Sequence, residues 1–360
     1  MATAKDVAAK MQISVSTVGR ALSNDPRISL ATRKRVADVA SELGYVANRA
    51  AQMMRGASSQ LVGLLIPDIR NGFYSTAAHA LSKCLEAGGY QLMLCETDDD
   101  RVVECRHLRE LSSASASGVI VVPSAKPMAE SVRLLASMRS IQLLRKNASL
   151  GEQSFAIDDS RAIHLATQHL LGLGHERIGY IGGSPNLSTG AARLQGFRDA
   201  LRGTKAARLA CEEVGPPSSS EVGRSALRRL LALPAPPTAI VLGSVQITYG
   251  VLEEAHESAI AVPRDLSIVG FSDELSFRWW GPGLTTLALP VSELATACGL
   301  WFLHQLKTKN PVYAPYSSIS AAQLVIRGST RAMEEVDRSR TSVQRASGGP
   351  AARRARKLSP

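Results

Sequence analysis

The stretch Ser14-Val15-Ser16-Thr17-Val18-Gly19-Arg20-Ala21-Leu22 decides how this 360-residue chain is read. Ser14 is a natural N-cap, because its hydroxyl accepts from backbone N–H groups that a first helical turn leaves unpaired. Val18, Ala21 and Leu22 fall at i, i+3 and i+4, which is one helical face. Ser16, Thr17 and Arg20 occupy the other face close to the helix start. A helix over Lys5-Asp6-Val7-Ala8-Ala9-Lys10-Met11, capped by Thr3, precedes it, and only Gln12 and Ile13 separate the two. A third helix opens at Ser29, packs Val36, Val39, Ala40 and Leu43, and stops at Gly44. Three short helices with a tight first turn and a polar second helix spell a helix-turn-helix, which lays its second helix in the DNA major groove. An ordinary three-helix cap with a solvated face fits the same pattern, so the residues beyond Gly44 have to separate the two.

After Tyr45 comes Asn48-Arg49-Ala50-Ala51-Gln52-Met53-Met54-Arg55-Gly56, a capped, helix-competent piece too short to be stable alone in water. It can fold only against something else, such as a symmetry mate or a DNA groove. Charge points the same way. Residues 1–60 hold 9 Lys/Arg against 4 Asp/Glu and residues 331–360 hold 8 against 3, while residues 61–330 hold 25 against 24. A near-neutral body with a basic head suits a protein that seeks phosphates. The tail beyond residue 330 is rich in Arg, Ser, Pro and Ala without periodicity, and reads as disordered.

From Leu61 onward, apolar strands alternate with amphipathic helices. Leu61–Ile66, Gln91–Cys95, Gly118–Val122 and Ser140–Leu144 read as strands, with helices around Tyr74–Ala87, Val102–Leu111 and Met128–Ser137. Near Asp158 the rhythm restarts with a helix over Ala162–Leu171 and a strand over Ile178–Ile181. Helices over Arg193–Leu201 and Ser219–Leu231 come next, then the Ala239–Leu242 strand, a helix near Tyr249–Glu257 and the Leu266–Val269 strand. This alternation means parallel sheets covered on both faces. The repeat predicts an α/β core of two parallel-sheet lobes with a cleft between them, and ligands of such sheets sit beyond the carboxyl ends of the strands.

Several classes are disfavoured. No apolar run reaches the length of a membrane span, and the first helix starts too early to leave room for a signal peptide. The five cysteines (Cys84, Cys95, Cys105, Cys211 and Cys298) show no C-x-x-C spacing and read as reduced thiols in a cytoplasm. Gly88-Gly89 and Gly182-Gly183 are isolated pairs rather than phosphate-binding loops. His164 and His169 are five apart, the wrong spacing for a helical zinc pair, and no Ser sits in a G-x-S-x-G elbow. No enzyme chemistry, metal or cofactor is expected.

The chain resembles the lactose-repressor (LacI/GalR) family of bacterial transcription regulators. The head carries the resemblance in Lys5-Asp6-Val7-Ala8, Val15-Ser16-Thr17-Val18, Leu43-Gly44-Tyr45 and Asn48-Arg49-Ala50. The core carries it in Gly63-Leu64-Leu65-Ile66-Pro67-Asp68, His169-Leu170-Leu171, Gly174-His175-Glu176-Arg177-Ile178, Ile181-Gly182-Gly183, Arg193-Leu194-Gln195-Gly196-Phe197, Val269-Gly270-Phe271 and Leu284-Thr285-Thr286. The order is collinear from about Ala2 to Thr330. The resemblance implies a periplasmic-binding-protein-like core and a division into a head (1–46), a hinge helix and linker (47–60), a two-lobed effector-binding and dimerisation core (61–330) and the basic tail (331–360). It places the N-lobe at about 61–158 and 287–316, and the C-lobe at about 159–286 and 317–330.

By the same resemblance Val15 and Ser16 read bases, with Arg20 one turn later. An arginine can be bidentate to guanine, whereas Val15 offers apolar contact to a thymine methyl. Thr3, Ser14, Thr17, Asn24 and Tyr45 match head positions that meet DNA, most of them through phosphates, which set register. Gly19 stands where the family usually has Ser. Asn48, Arg49, Ala51 and Met54 belong to the matching hinge helix, in which an apolar side chain, here Met54, wedges into the minor groove. Met54 packing on its own dimer mate is the alternative. Ala47 replaces a common Pro.

The effector-facing positions implied are Phe73, Tyr74, Ser124, Arg145, Asp158, Arg193, Ser244, Ser272, Asp273 and Trp279. Arg193 matches an Arg that grips a sugar hydroxyl or an anion. Ser272 stands where an Asp is common, Ser244-Val245 replace a frequent pair ending in Asp, and Leu144 replaces an Asp before Arg145. Trp279 and Trp280 offer either a stacking face for a sugar ring or packing. The function implied is a homodimeric repressor on a pseudo-palindromic operator, released by a small sugar-like effector, with no membrane partner. Corepression is the alternative within the family, and a solute-binding protein the alternative outside it.

Overall fold

The computed structural model describes residues 2–23, 25–45, 59–216, 218–308 and 316–333. Asn24, the 48–56 segment with Asn48, Arg49, Ala51 and Met54, and the tail from residue 334 lie outside the described residues.

In the head, α1 (Ala4–Met11), α2 (Val15–Leu22) and α3 (Leu30–Glu42) pack around Val7, Ala8, Val18, Ala21, Val36 and Ala40. Met11, Ile13, Leu22, Ile28, Val39, Leu43 and Tyr45 close this core from the outside. The α1–α2 turn is tight because Gln12 adopts φ 54, and its N–H returns to the carbonyls of Ala8 and Ala9. Ser14 and Ser29 cap α2 and α3 by accepting from Thr17 N and Thr32 N.

Two compact units emerge from the contact pattern. The first takes the chain up to Ile157 together with Asn186–Thr189 and Pro290–Ser320; the second takes Asp158–Pro185, Gly190–Leu289 and the chain from Ala321.

The first unit is built on β1 (Leu61–Ile66), β2 (Gln91–Glu96), β3 (Gly118–Val121), β4 (Ser140–Leu143), β5 (Ser154–Ile157) and, far along the chain, β11 (Ser317–Ser320). The order is β11-β5-β4-β3-β1-β2 and every pair is parallel. Helices α4 (Gly72–Ala87), α5 (Arg101–Ser113), α6 (Ala129–Ser137) and α12 (Val291–Lys307) cover it. From Val62 onward β1 is buried throughout, as are β3 and β5, whereas the edge strand β2 exposes Gln91, Met93 and Leu94. That contrast comes from covering a parallel sheet on both faces except at its margins.

The second unit repeats the plan with β6 (Ile178–Gly182), β7 (Cys211–Val214), β8 (Ala239–Leu242), β9 (Ser267–Phe271), β10 (Thr285–Ala288) and β12 (Gln323–Val325), ordered β12-β10-β9-β8-β6-β7. Only β12 is antiparallel, on β10. Its helices are α7 (Asp159–Gly172), α8 (Ser188–Leu201), α9 (Ser220–Leu231), α10 (Val245–Glu257) and the short α11 (Leu275–Trp279). Glycines set the helix spacing: a Cβ on Gly196 of α8 would collide with the Ser160 carbonyl oxygen, and one on Gly250 of α10 with that of Ser220.

The chain is still held on the second unit after Thr330. Arg331 N–H donates to Ser267 Oγ at 3.2 Å, and Met333 N–H donates to the Leu173 carbonyl at 2.8 Å. His175, 2% exposed, sits 2.9 Å from Thr238 Oγ1 through Nδ1 and donates to the Arg331 carbonyl through Nε2 at 3.1 Å. Burial lowers the pKa of its imidazole.

The close approach at Gly196 has a measurable consequence. Gly196→Ala should destabilise the protein by roughly 1–3 kcal/mol through overpacking. Gly172→Ala, where a Cβ meets nothing within 4 Å, should be neutral or stabilising by about 0.4–1 kcal/mol. Denaturant unfolding of the two variants side by side checks this, and equal midpoints would contradict the helix spacing.

Candidate functional site

The amino end of α2 gathers three hydroxyls. Ser14 Oγ accepts from Thr17 N at 3.1 Å and lies 2.8 Å from both Ser16 Oγ and Thr17 Oγ1. Ser14, Val15, Ser16 and Arg20 are exposed, while Val18 and Ala21 anchor the opposite face in the head core. The outward face of α2 is therefore mostly polar, carries a cation and presents the apolar Val15 at its start, which suits phosphate and base edges. Thr3 is already engaged: the Asp6 carboxylate accepts from its N–H and its hydroxyl at 2.7 and 2.8 Å, and these bonds hold the Asp6 pKa low. Tyr45 packs its ring on the head core and returns its N–H to Ala40 O.

In the first unit, the effector-facing candidates collect where the strands end. Asn71 caps α4 by accepting from Phe73 N, and Phe73 and Tyr74 meet edge to face with centroids 5.6 Å apart. The Arg145 guanidinium, just past β4, lies 6.0 Å from the Tyr74 ring centroid. It donates to both carboxylate oxygens of Asp99 and to the Pro123 carbonyl. Ser124, just past β3, donates its N–H to Glu104 Oε2 at 2.8 Å. Glu104 is fully buried, and burial raises its pKa. Its other oxygen, like Ser124 Oγ, has no hydrogen-bond partner among the described residues.

In the second unit, Arg193 of α8 is the centre. Its Nε donates to Asp159 Oδ1 at 2.7 Å, its Nη1 donates to the Gly243 carbonyl at 2.8 Å, and its guanidinium carbon stands 4.0 Å from the Phe271 ring centroid. Gly196, one turn along α8, permits this by letting the helix close on Ser160. Ser244 caps α10 by accepting from Ile247 N, and Asp158 caps α7 by accepting from Arg161 N. Ser272, at φ 71, donates to Glu274 Oε1.

Asp273 turns elsewhere. It accepts from Thr286 Oγ1 and from both Nη atoms of Arg327, with Arg278 beside it. Burial works against its charge, but these partners outweigh it and hold its pKa low. Trp279 lies 71% exposed on α11. The second unit thus brings Arg193 to the residues next to Asp158, Ser244 and Ser272, and gives Asp273 and Trp279 other surroundings. Asp99, Glu104 and Asp159 do not stand out in the sequence, and Phe271 does so only as part of Val269-Gly270-Phe271, with no sign of its place against Arg193. The Asp158-Asp159 pair and the Asp98-Asp99-Asp100 run are visible there as acidic clusters, but nothing in their spacing points to an arginine far along the chain.

Residues 3–48 match the lacI family of bacterial regulatory proteins, and residues 167–330 match a periplasmic binding protein-like domain. The transcriptional repressor CytR of Escherichia coli strain K12 is 30% identical over 340 residues, covering 92% of this chain and 97% of that protein. The chain belongs to the lacI family of bacterial regulatory proteins. The transcriptional regulator GalR of the same strain is 30% identical over 298 residues, covering 82% of this chain and 87% of that protein. Among solved structures, the lac repressor dimer bound to operator and the anti-inducer ONPF has the same fold, with a TM-score of 0.78 at 22% identity over 92% of this chain and 99% of that one. A LacI family regulator from Enterococcus faecium with bound ribose matches at a TM-score of 0.66 and 25% identity, over 76% of this chain and all of that one. As a member of this family the chain is a DNA-binding transcriptional regulator and not an enzyme.

Arg20→Ala should cost operator affinity about 1–3 kcal/mol and relax the preference at one base pair per half-site. A binding assay over operators varied one position at a time reads this out; a uniform loss at every position would make Arg20 a phosphate contact instead.

Proposed function

We propose that this protein is a cytoplasmic repressor that holds a pseudo-palindromic operator as a homodimer and releases it when a small sugar-like effector binds the core. The observation that carries the reading is the exposed amino end of α2, where Ser14, Ser16 and Thr17 cluster beside Val15 and Arg20, on a chain whose core is of the periplasmic-binding type. The names of the relatives support it: CytR is a repressor, the lac repressor structure is a dimer on its operator, and the Enterococcus faecium regulator holds ribose. In this reading Val15, Ser16 and Arg20 read bases, while Thr3, Ser14, Thr17, Asn24 and Tyr45 set register on the backbone. Residues 47–60 form the hinge, with Asn48, Arg49, Ala51 and Met54 at the minor groove. Phe73, Tyr74, Ser124, Arg145, Asp158, Arg193, Ser244, Ser272, Asp273 and Trp279 form the effector-binding set. Among the described residues no helix is long and apolar enough to cross a membrane and no group of three or more His, Cys, Asp or Glu is placed to hold a metal.

Release requires the effector to bind the DNA-free state more tightly than the operator-bound state, since a ligand shifts an equilibrium only by its differential affinity. A gel shift with the intergenic DNA upstream of the protein's own gene tests the reading. Specific binding at about 10⁻⁸–10⁻¹¹ M is expected, and only weak, salt-sensitive association would refute it. Met54→Ala should weaken operator binding by about tenfold or more, or 1.4 kcal/mol, through loss of the wedge; unchanged affinity would remove Met54 from that role. Arg193→Ala should abolish ligand-dependent release, measured as operator occupancy across a panel of sugars, and a retained response would place effector recognition on other residues.

A further inference from the structure

Arg193 and Arg145 are the two guanidiniums among the proposed effector-binding residues, and each arrives with its own carboxylate. In the second unit Asp159 lies 2.7 Å from Arg193 Nε, with the two side chains only 6% and 12% exposed. In the first unit Arg145, 10% exposed at its side chain, is paired to Asp99 through two bonds. A guanidinium offers five N–H donors in a fixed fork. In Arg193, one is committed to Asp159 and one to the Gly243 carbonyl, while one face of the plane is covered by Phe271. What remains includes the Nη2 donors, on a group whose charge is already balanced in a poorly solvated place.

Such a group can hydrogen-bond a neutral oxygen at little cost. An anion there meets the Asp159 carboxylate at short range in a medium that screens poorly. Displacing Asp159 instead would break a buried ion pair, which is strongly unfavourable. We infer that Asp159 sets the charge of the effector: the Arg193 subsite takes an uncharged, hydroxyl-bearing molecule and refuses the phosphorylated or carboxylated form of the same molecule. This rests on the placement of Arg193 among the effector contacts. Asp159 acts as a specificity-determining residue, converting an arginine that would otherwise clamp anions into a neutral donor.

The test uses the full chain and thermal unfolding. Wild type, Arg193→Ala, Asp159→Asn, and the double variant Asp159→Asn with Arg193→Ala are titrated with D-ribose 5-phosphate and with inorganic phosphate, each against potassium chloride of matched ionic strength. Wild type should show no rise in melting temperature beyond the chloride control that depends on Arg193. Asp159→Asn should bind the anions at least tenfold more tightly than wild type, and the double variant should lose that gain, which separates this subsite from phosphates bound at the head. The inference is overturned if wild type gains Arg193-dependent stability from either anion, or if Asp159→Asn gains none. Should Asp159→Asn lack a cooperative transition, the Arg193 Nε–H resonance of the wild type decides: slow exchange that phosphate leaves unaltered supports the inference, and a phosphate-induced shift overturns it. Operator binding by the same wild-type preparation is scored separately, so failure of the repressor reading is distinguishable from failure of this one.

Discussion

A parallel strand has no solvated face of its own, so each sheet here has to be covered by helices on both sides. That requirement fixes most of what else is seen. The strand interiors Val62–Ile66 and Ala239–Leu242 hold only apolar side chains and glycine, and the helices must lie close to one another, which is why Gly196 and Gly250 meet backbone where any side chain would collide. Polar and charged residues are displaced to the loops at the strand ends. Tyr74, Ser124 and Arg145 in one unit, and Gly243, Ser244 and Ser272 in the other, stand at or just beyond those loops. Polar side chains are thereby gathered at one end of each sheet by the same rule that builds the sheet.

Charge placed in such loops is only partly hydrated, and the structure balances it locally. Arg145 has Asp99, Arg193 has Asp159, and Asp273 has Arg327 with Arg278 nearby. Carboxylates are missing at Leu144, Ser244 and Ser272, where the family resemblance implies them, or a pair containing one. Two stand instead beside the arginines, supplied by Asp99 after β2 and Asp159 at the head of α7. The charge pattern at the strand ends of each unit is therefore not the one that position-by-position resemblance implies.

The sequence discloses the architecture because its signals are local. The Ser14 cap, the i, i+3, i+4 apolar spacing of α2, and the alternation of Leu61–Ile66-like runs with amphipathic helices all act within a few residues. Elements whose stability comes from neighbours are harder to see. The edge strand Cys211–Val214 carries two glutamates, Ser317–Ser320 is mostly serine, and both gain strand geometry from pairing with Gly179–Gly182 and Ser154–Ile157. The helix Val291–Lys307 is anticipated only by the implied return of the chain near residues 287–316. For the site, residue types are legible and partnerships are not. Arg193 stands out in Arg-Leu-Gln-Gly-Phe, but its bond to Asp159 spans 34 positions and depends on the close approach that Gly196 allows.

The clasp around His175 bears on where the protein can be cut. His175 donates to the backbone of Arg331, and Met333 closes on the carbonyl that ends α7. A truncation that stops at Thr330, the natural place to remove a basic tail by composition alone, deletes the acceptor of a buried imidazole and uncovers the turn after α7. An unsatisfied buried donor costs about 1–3 kcal/mol. A shortened protein that is to keep the second unit intact has to end beyond Met333, and loss of stability in a shorter one reflects a severed clasp and not a missing tail.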